Sequence, residues 1–90
     1  MKSPKVVERK LGKHKAAGYA WNDPKDAKFN TIEIDPRKEV HGGTKGYMDT
    51  FIHECIHMID PQMHEDDVAK FATDLCRMLW KHGFRKVDVK

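Results

Sequence analysis

No apolar run in this 90-residue chain approaches the roughly 18 residues of a membrane span, so an integral membrane helix is not expected. Cysteine is scarce. Cys55 and Cys76 are too few for the disulfide framework of a small secreted domain. Both fall on the expected core faces of helices and are read as free thiols. No apolar stretch follows the charged Met1-Lys2-Ser3-Pro4-Lys5, so no signal peptide is expected and a cytoplasmic location is. There is no internal repeat, linker or low-complexity segment. Also missing is a basic stripe interleaved with aromatics. Lys2, Lys5, Arg9, Lys10, Lys13 and Lys15 load one end and Lys81, Arg85, Lys86 and Lys90 the other, for a net charge of +3. Such ends can attract nucleic acid, but their pattern does not favour it over a solvated surface.

What is present fits one globular domain over residues 1–90. Apolar residues make up 39% and charged residues 34%, enough for a modest core under a charged surface. Residues 5–12 read as a first strand ending at Gly12, and residues 16–21 as a second. Asn22-Asp23-Pro24 is turn chemistry. Residues 29–35 are the clearest strand, because Ile32 and Ile34 alternate with Thr31, Glu33 and Asp35. Pro36 ends it. These strands suggest a small antiparallel sheet. Residues 37–46, with Gly42, Gly43 and Gly46, read as loop. Thr44 could cap the helix that follows, and Asp49 complements its dipole. That helix runs to about Ile59, where Asp60-Pro61 stops it. A second helix is expected from about His64 to His82. Val68, Phe71, Ala72, Leu75, Cys76 and Leu79 form its apolar stripe, and Gly83 is its closing residue. Trp80 and Phe84 are expected to close the core at that end. Residues 85–90 form a last short strand or a tail. The fold class is therefore α+β: an N-terminal sheet followed by two helices.

The first helix carries His53-Glu54-Cys55-Ile56-His57, the His-Glu-x-x-His pattern of zinc peptidases. Successive helical residues turn by about 100°, so His53 and His57 lie about 40° apart and can hold one metal ion. Glu54 lies about 100° round from His53, placed to take a proton from a water that the metal activates. Zinc suits imidazole ligands and this chemistry. A short motif alone matches by chance, so the context decides. Met48, Ile52, Cys55, Ile56 and Ile59 fall in one apolar stripe of the same helix. The histidines lie at its edge and Glu54 on the side away from it. Cys55 is read as packing.

A catalytic zinc keeps three protein ligands and an open position. The turn at Asp60-Pro61 folds the second helix back, so its first residues approach His57. Glu65 and His64 both sit on its inward stripe, and spacing does not separate them. The step from His57 to His64 is longer than the metzincin interval and lacks its glycine, which argues against that class.

Lys10-Leu11, Lys15-Ala16, Gly18, Thr31-Ile32-Glu33-Ile34-Asp35, Thr50-Phe51-Ile52 with the motif, Asp60-Pro61, Glu65-Asp66-Asp67-Val68 and Leu79-Trp80-Lys81-His82-Gly83-Phe84-Arg85 together resemble the very small zincin-like metallopeptidases encoded by many bacteriophages. These are similar in style to the SprT-like and IrrE/ImmA-like groups. The resemblance covers most of residues 10–85, and its specific part is the helix motif. It implies a minimal zincin-like fold, a host-cell cytoplasmic setting and an acidic third ligand opening the second helix, the position of Glu65. It also implies that the strand at residues 30–35, with Thr31, Ile32, Glu33 and Ile34, takes a polypeptide substrate as an added strand. Departures are His64 beside Glu65 and Cys55 inside the motif.

The expected activity is zinc-dependent peptide hydrolysis, with His53, His57 and Glu65 holding Zn2+ and Glu54 as general base. Tyr47, His41 and Arg85 are candidates to stabilise the oxyanion. Two other classes stay open. One is a metal-stabilised binding module without turnover, in which Glu65 and His64 both bind the metal. The other is a nucleic-acid-associated factor using the basic ends, which salt-dependent binding would reveal.

Overall fold

The computed structural model describes residues 2–11 and 17–87. Gly12 at the expected end of the first strand, Ala16 at the start of the second and residues 88–90 lie outside the described residues. Three strands come first: β1 (Lys5–Glu8), β2 (Gly18–Trp21) and β3 (Thr31–Ile34). A single 3-10 turn, Lys38–His41, leads into helix α1 (Thr44–Ile59), and α2 (Glu65–Lys81) follows. The architecture is α+β, as the sequence implies.

The sheet is mixed, not antiparallel. β3 lies in the centre, parallel to β1 and antiparallel to β2. Burial explains the order. Ile32 and Ile34 are both 0% exposed, so the strand with the most apolar inner face takes the middle. β1 carries Lys5 and Glu8, charges that suit an edge. The alternation of β3 also hides more than a half-buried strand would. Glu33 points to the outer face yet is buried under Arg9, Lys28 and the Trp21 indole, which donates to it at 2.7 Å. Asp35, 1% exposed, accepts from the Leu11 amide and from the Arg37 amide and guanidinium. The Arg37 side chain beside it holds the Asp35 carboxyl far below the usual carboxylate range.

Helix α1 is packed on two sides rather than along one stripe. Phe51, Cys55 and Met58 meet Ala20 and Ile32 of the sheet. Met48, Ile52 and Ile56 meet Ala72, Cys76 and Leu79 of α2. Ile59, expected in the stripe, is exposed at the helix end. In α2, Val68, Ala72 and Cys76 are buried, while Phe71 and Leu75 lie at the exposed margin. Both thiols are free.

The ends of the helices obey local chemistry. Thr44 is the first residue of α1 and not its cap, a place taken by Gly43 without a side-chain bond. Gly46, expected in the loop, lies inside α1, at a place where a Cβ would come within 1.8 Å of the His41 carbonyl oxygen. Asp49 accepts from the Thr73 hydroxyl at 3.1 Å, tying α1 to α2. Asp60 closes α1 before Pro61. At the far end, Gly83 N–H donates to Trp80 O and Phe84 N–H to Leu79 O, both at 3.0 Å, a Schellman closure. Phe84 remains 59% exposed and does not close the core. No helix among the described residues is long and apolar enough to cross a membrane.

Candidate metal centre

The helical step brings His53 and His57 together on α1, with ring centroids 4.9 Å apart. The Asp60–His64 turn then returns the chain so that α2 opens beside them. Glu65, its first residue, reaches both rings: Oε1 lies 2.8 Å from His53 Nε2 and Oε2 2.8 Å from His57 Nε2. The three donor atoms all lie within 4.8 Å of one another. Two imidazole nitrogens and one carboxylate oxygen are a donor set that transition metals accept. The Glu65 side chain is 62% exposed, so an ion could approach from solvent. The residues present can therefore hold a metal ion.

His64 takes another place. Its Nδ1 accepts from the Asp66 amide at 3.2 Å, capping α2, and its side chain points to solvent. The cap position is met, but the residue is not brought to the pair of histidines.

Glu54 departs from the expectation that it faces away from the core. It is 7% exposed, wedged between α1 and β2. Burial pushes its carboxyl above the ordinary value, and the flanking His53 and His57 pull it partly back. Among the described residues, no protein group hydrogen-bonds to its carboxylate, so its oxygens are free to act on something else. Gly18 of β2 makes this position possible. A Cβ there would sit 3.0 Å from Glu54 Cγ and 3.2 Å from its Oε2. Gly18 enters the sequence reading only through the family resemblance, although a glycine inside a strand is a signal of close backbone approach. Asn22 was read only as turn chemistry. Its Nδ2 donates to the His57 carbonyl at 3.0 Å, satisfying a helix-end acceptor and tying the chain after β2 to the ligand-bearing turn.

Thr31, Ile32, Glu33 and Ile34 cannot receive an added strand, because β3 is paired on both sides. The open edge beside α1 belongs to β2. The carbonyls of Ala17 and Trp21 point to β3, so alternation turns the main-chain groups of Gly18 and Ala20 outward.

The three oxyanion candidates are engaged in other contacts. Tyr47 is six residues before His53, about 9 Å along the axis and about 120° round it. Its hydroxyl donates to Glu8 at 2.8 Å. Arg85 stacks on Trp80 and bonds the carbonyls of Trp80 and Phe84. Both ring nitrogens of His41 are engaged, Nε2 with the Asp35 carbonyl at 2.7 Å and Nδ1 with Thr50 Oγ1 at 2.9 Å.

Comparison of the chain with models of known protein families, with curated proteins and with solved structures returned no significant match.

Proposed function

We propose that the protein is a zinc-dependent metallopeptidase of minimal zincin-like type. One observation carries the reading: the Glu65 carboxylate spans the Nε2 atoms of His53 and His57, while the neighbouring Glu54 is largely buried and, among the described residues, its carboxylate has no protein partner. His53, His57 and Glu65 would hold the ion. Zinc bound there would supply Lewis acidity, polarising a carbonyl and lowering the pKa of a water. Glu54 takes the proton from the attacking water and returns it to the leaving amine. The polypeptide substrate would lie along the outward main-chain groups of Gly18 and Ala20, which offer sequence-tolerant hydrogen bonds. Free Cys55 and Cys76 agree with a reducing, cytoplasmic setting.

The decisive variant is Glu54→Gln. It is expected to fold, to keep about one zinc per chain and to lose hydrolysis of an unfolded-protein mixture by roughly 10²–10⁴-fold, the usual worth of general base catalysis. Equal cleavage by wild type and variant would remove Glu54 from the chemistry. Zinc bound by both with cleavage by neither would favour the non-catalytic metal module. Metal content unaffected by His53→Ala and His57→Ala would end the reading altogether.

A further inference from the structure

One cavity of the molecule lies away from the histidines. It opens on the opposite flank of α1, about 150° round the helix from His53 and His57 by residue spacing. Its origin is a mismatch of widths. Helix α1 covers β2 and β3 and reaches β1 through the Tyr47–Glu8 hydrogen bond at its end, without lying over Val6. Val6 shares the inner face of the sheet with Ile32, yet it has no helix above it and is 44% exposed. The space between that strand and the far end of α2 is about 830 Å³. Val6, Met48, Phe51, Leu79, Trp80 and Phe84 give it apolar walls. Phe84 is exposed because it borders this space instead of filling it.

The polar groups at the cavity are unevenly charged. Among the described residues its only lining carboxylate is that of Glu8, which is already satisfied. It accepts from the Tyr47 hydroxyl at 2.8 Å and from Lys86 Nζ at 3.3 Å. Lys86 therefore cancels Glu8. Two further cations line the same space, Lys38 and Arg85. Arg85 spends Nη1 on the carbonyls of Trp80 and Phe84 and lays its guanidinium 3.4 Å from the Trp80 ring centre. Neither Lys38 nor the remaining Arg85 nitrogens meet a carboxylate among the described residues. Among the described residues the local balance is thus two positive charges beside an apolar hollow of the size that small ligands occupy, roughly 300–1,000 Å³.

We propose that this cavity binds a small amphipathic carboxylate, its apolar body among Val6, Phe51, Leu79 and Trp80 and its carboxylate between Lys38 and Arg85. Charge complementarity selects the occupant. An anionic head gains two cations, a neutral one gains none and a cationic one is repelled. The apolar body gains by leaving water. This site is independent of the metal centre, and its failure would leave the peptidase reading untouched.

Dodecanoate below its micelle concentration is the probe, and dodecyltrimethylammonium, with the same chain and the opposite charge, is the comparison. The chain has two tryptophans, so Trp21→Phe leaves Trp80 as the sole indole reporter. Titration should shift Trp80 emission saturably at one dodecanoate per chain, and calorimetry should return the same stoichiometry. Lys38→Glu with Arg85→Glu should weaken dodecanoate at least 10-fold and improve the cationic probe. His53→Ala should change neither. Lys38 is exposed, so Lys38→Glu alone serves if the double variant fails to fold, with a smaller loss of the same sign. Absence of saturable binding, equal affinity for the two probes, or dodecanoate binding indifferent to charge reversal would each overturn the proposal.

Discussion

Gly18→Ala tests the contact that holds the proposed base in place. The added Cβ would meet Glu54 Cγ at 3.0 Å, Thr50 Cγ2 at 3.1 Å and Glu54 Oε2 at 3.2 Å. Comfortable carbon–carbon separation is about 3.5–4.0 Å, so the neighbours must give by roughly 0.5 Å. Thr50 is held by its own bonds to Gly46 O and His41, and β2 is held by β3. Glu54, unpartnered at its carboxylate, is the group that yields. Overpacking of this kind costs about 1–3 kcal/mol. Gly18 is extended and does not need a positive φ, so replacing it also restricts the unfolded chain, worth about 0.4–1 kcal/mol in the other direction. The net loss of stability should be about 0.5–2 kcal/mol, measurable by urea unfolding. Catalysis should suffer more. Since a misplacement of about 1 Å can cost 10²-fold, a shift of half that size should lower kcat by about 10-fold. Zinc affinity should hold, because His53 and His57 face another side of α1. The assay is steady-state cleavage of a quenched unfolded protein, run beside a zinc competition titration. Undiminished kcat in a folded variant would refute the idea that the carboxylate position depends on this close approach.

Glu65→Gln should weaken zinc binding far more than His64→Ala, since Glu65 spans both imidazoles and His64 caps α2; the reverse order in a competition titration would reassign the third ligand. Ile32→Ala should cost about 2–5 kcal/mol in urea unfolding, while Ile59→Ala should stay within about 0.5 kcal/mol, because one residue is wholly buried and the other sits exposed at a helix end. Asp35→Asn should lower stability at neutral pH. The folded-state pKa of Asp35 is depressed, so its contribution is complete above the unfolded value near 4 and is lost as pH falls through the folded value. The gap between wild type and variant should therefore narrow in unfolding curves below about pH 4, and a gap that widens with acid would contradict the Asp35–Arg37 arrangement.

Local geometry decided much of this protein in advance. The i, i+4 placement of His53 and His57 needs nothing beyond helical pitch, and the stops at Pro61 and Gly83 need only backbone chemistry. Ile32 and Ile34 announce a strand by their period, and a position opening α2 marks Glu65 and His64 as candidates to meet His53 and His57. The tertiary structure alone chose between those two, because the choice turns on which side chain reaches back across the turn and which one caps the helix. It alone put β3 in the centre, since strand order follows the comparative burial of three segments that no single period reveals. It also buried Glu54. The angle of that residue on α1 could be read from spacing, but the sheet that covers it could not, and neither could the unroofed inner face of β1. Those features depend on how far one layer overlaps another, a distance set by pairings many residues apart.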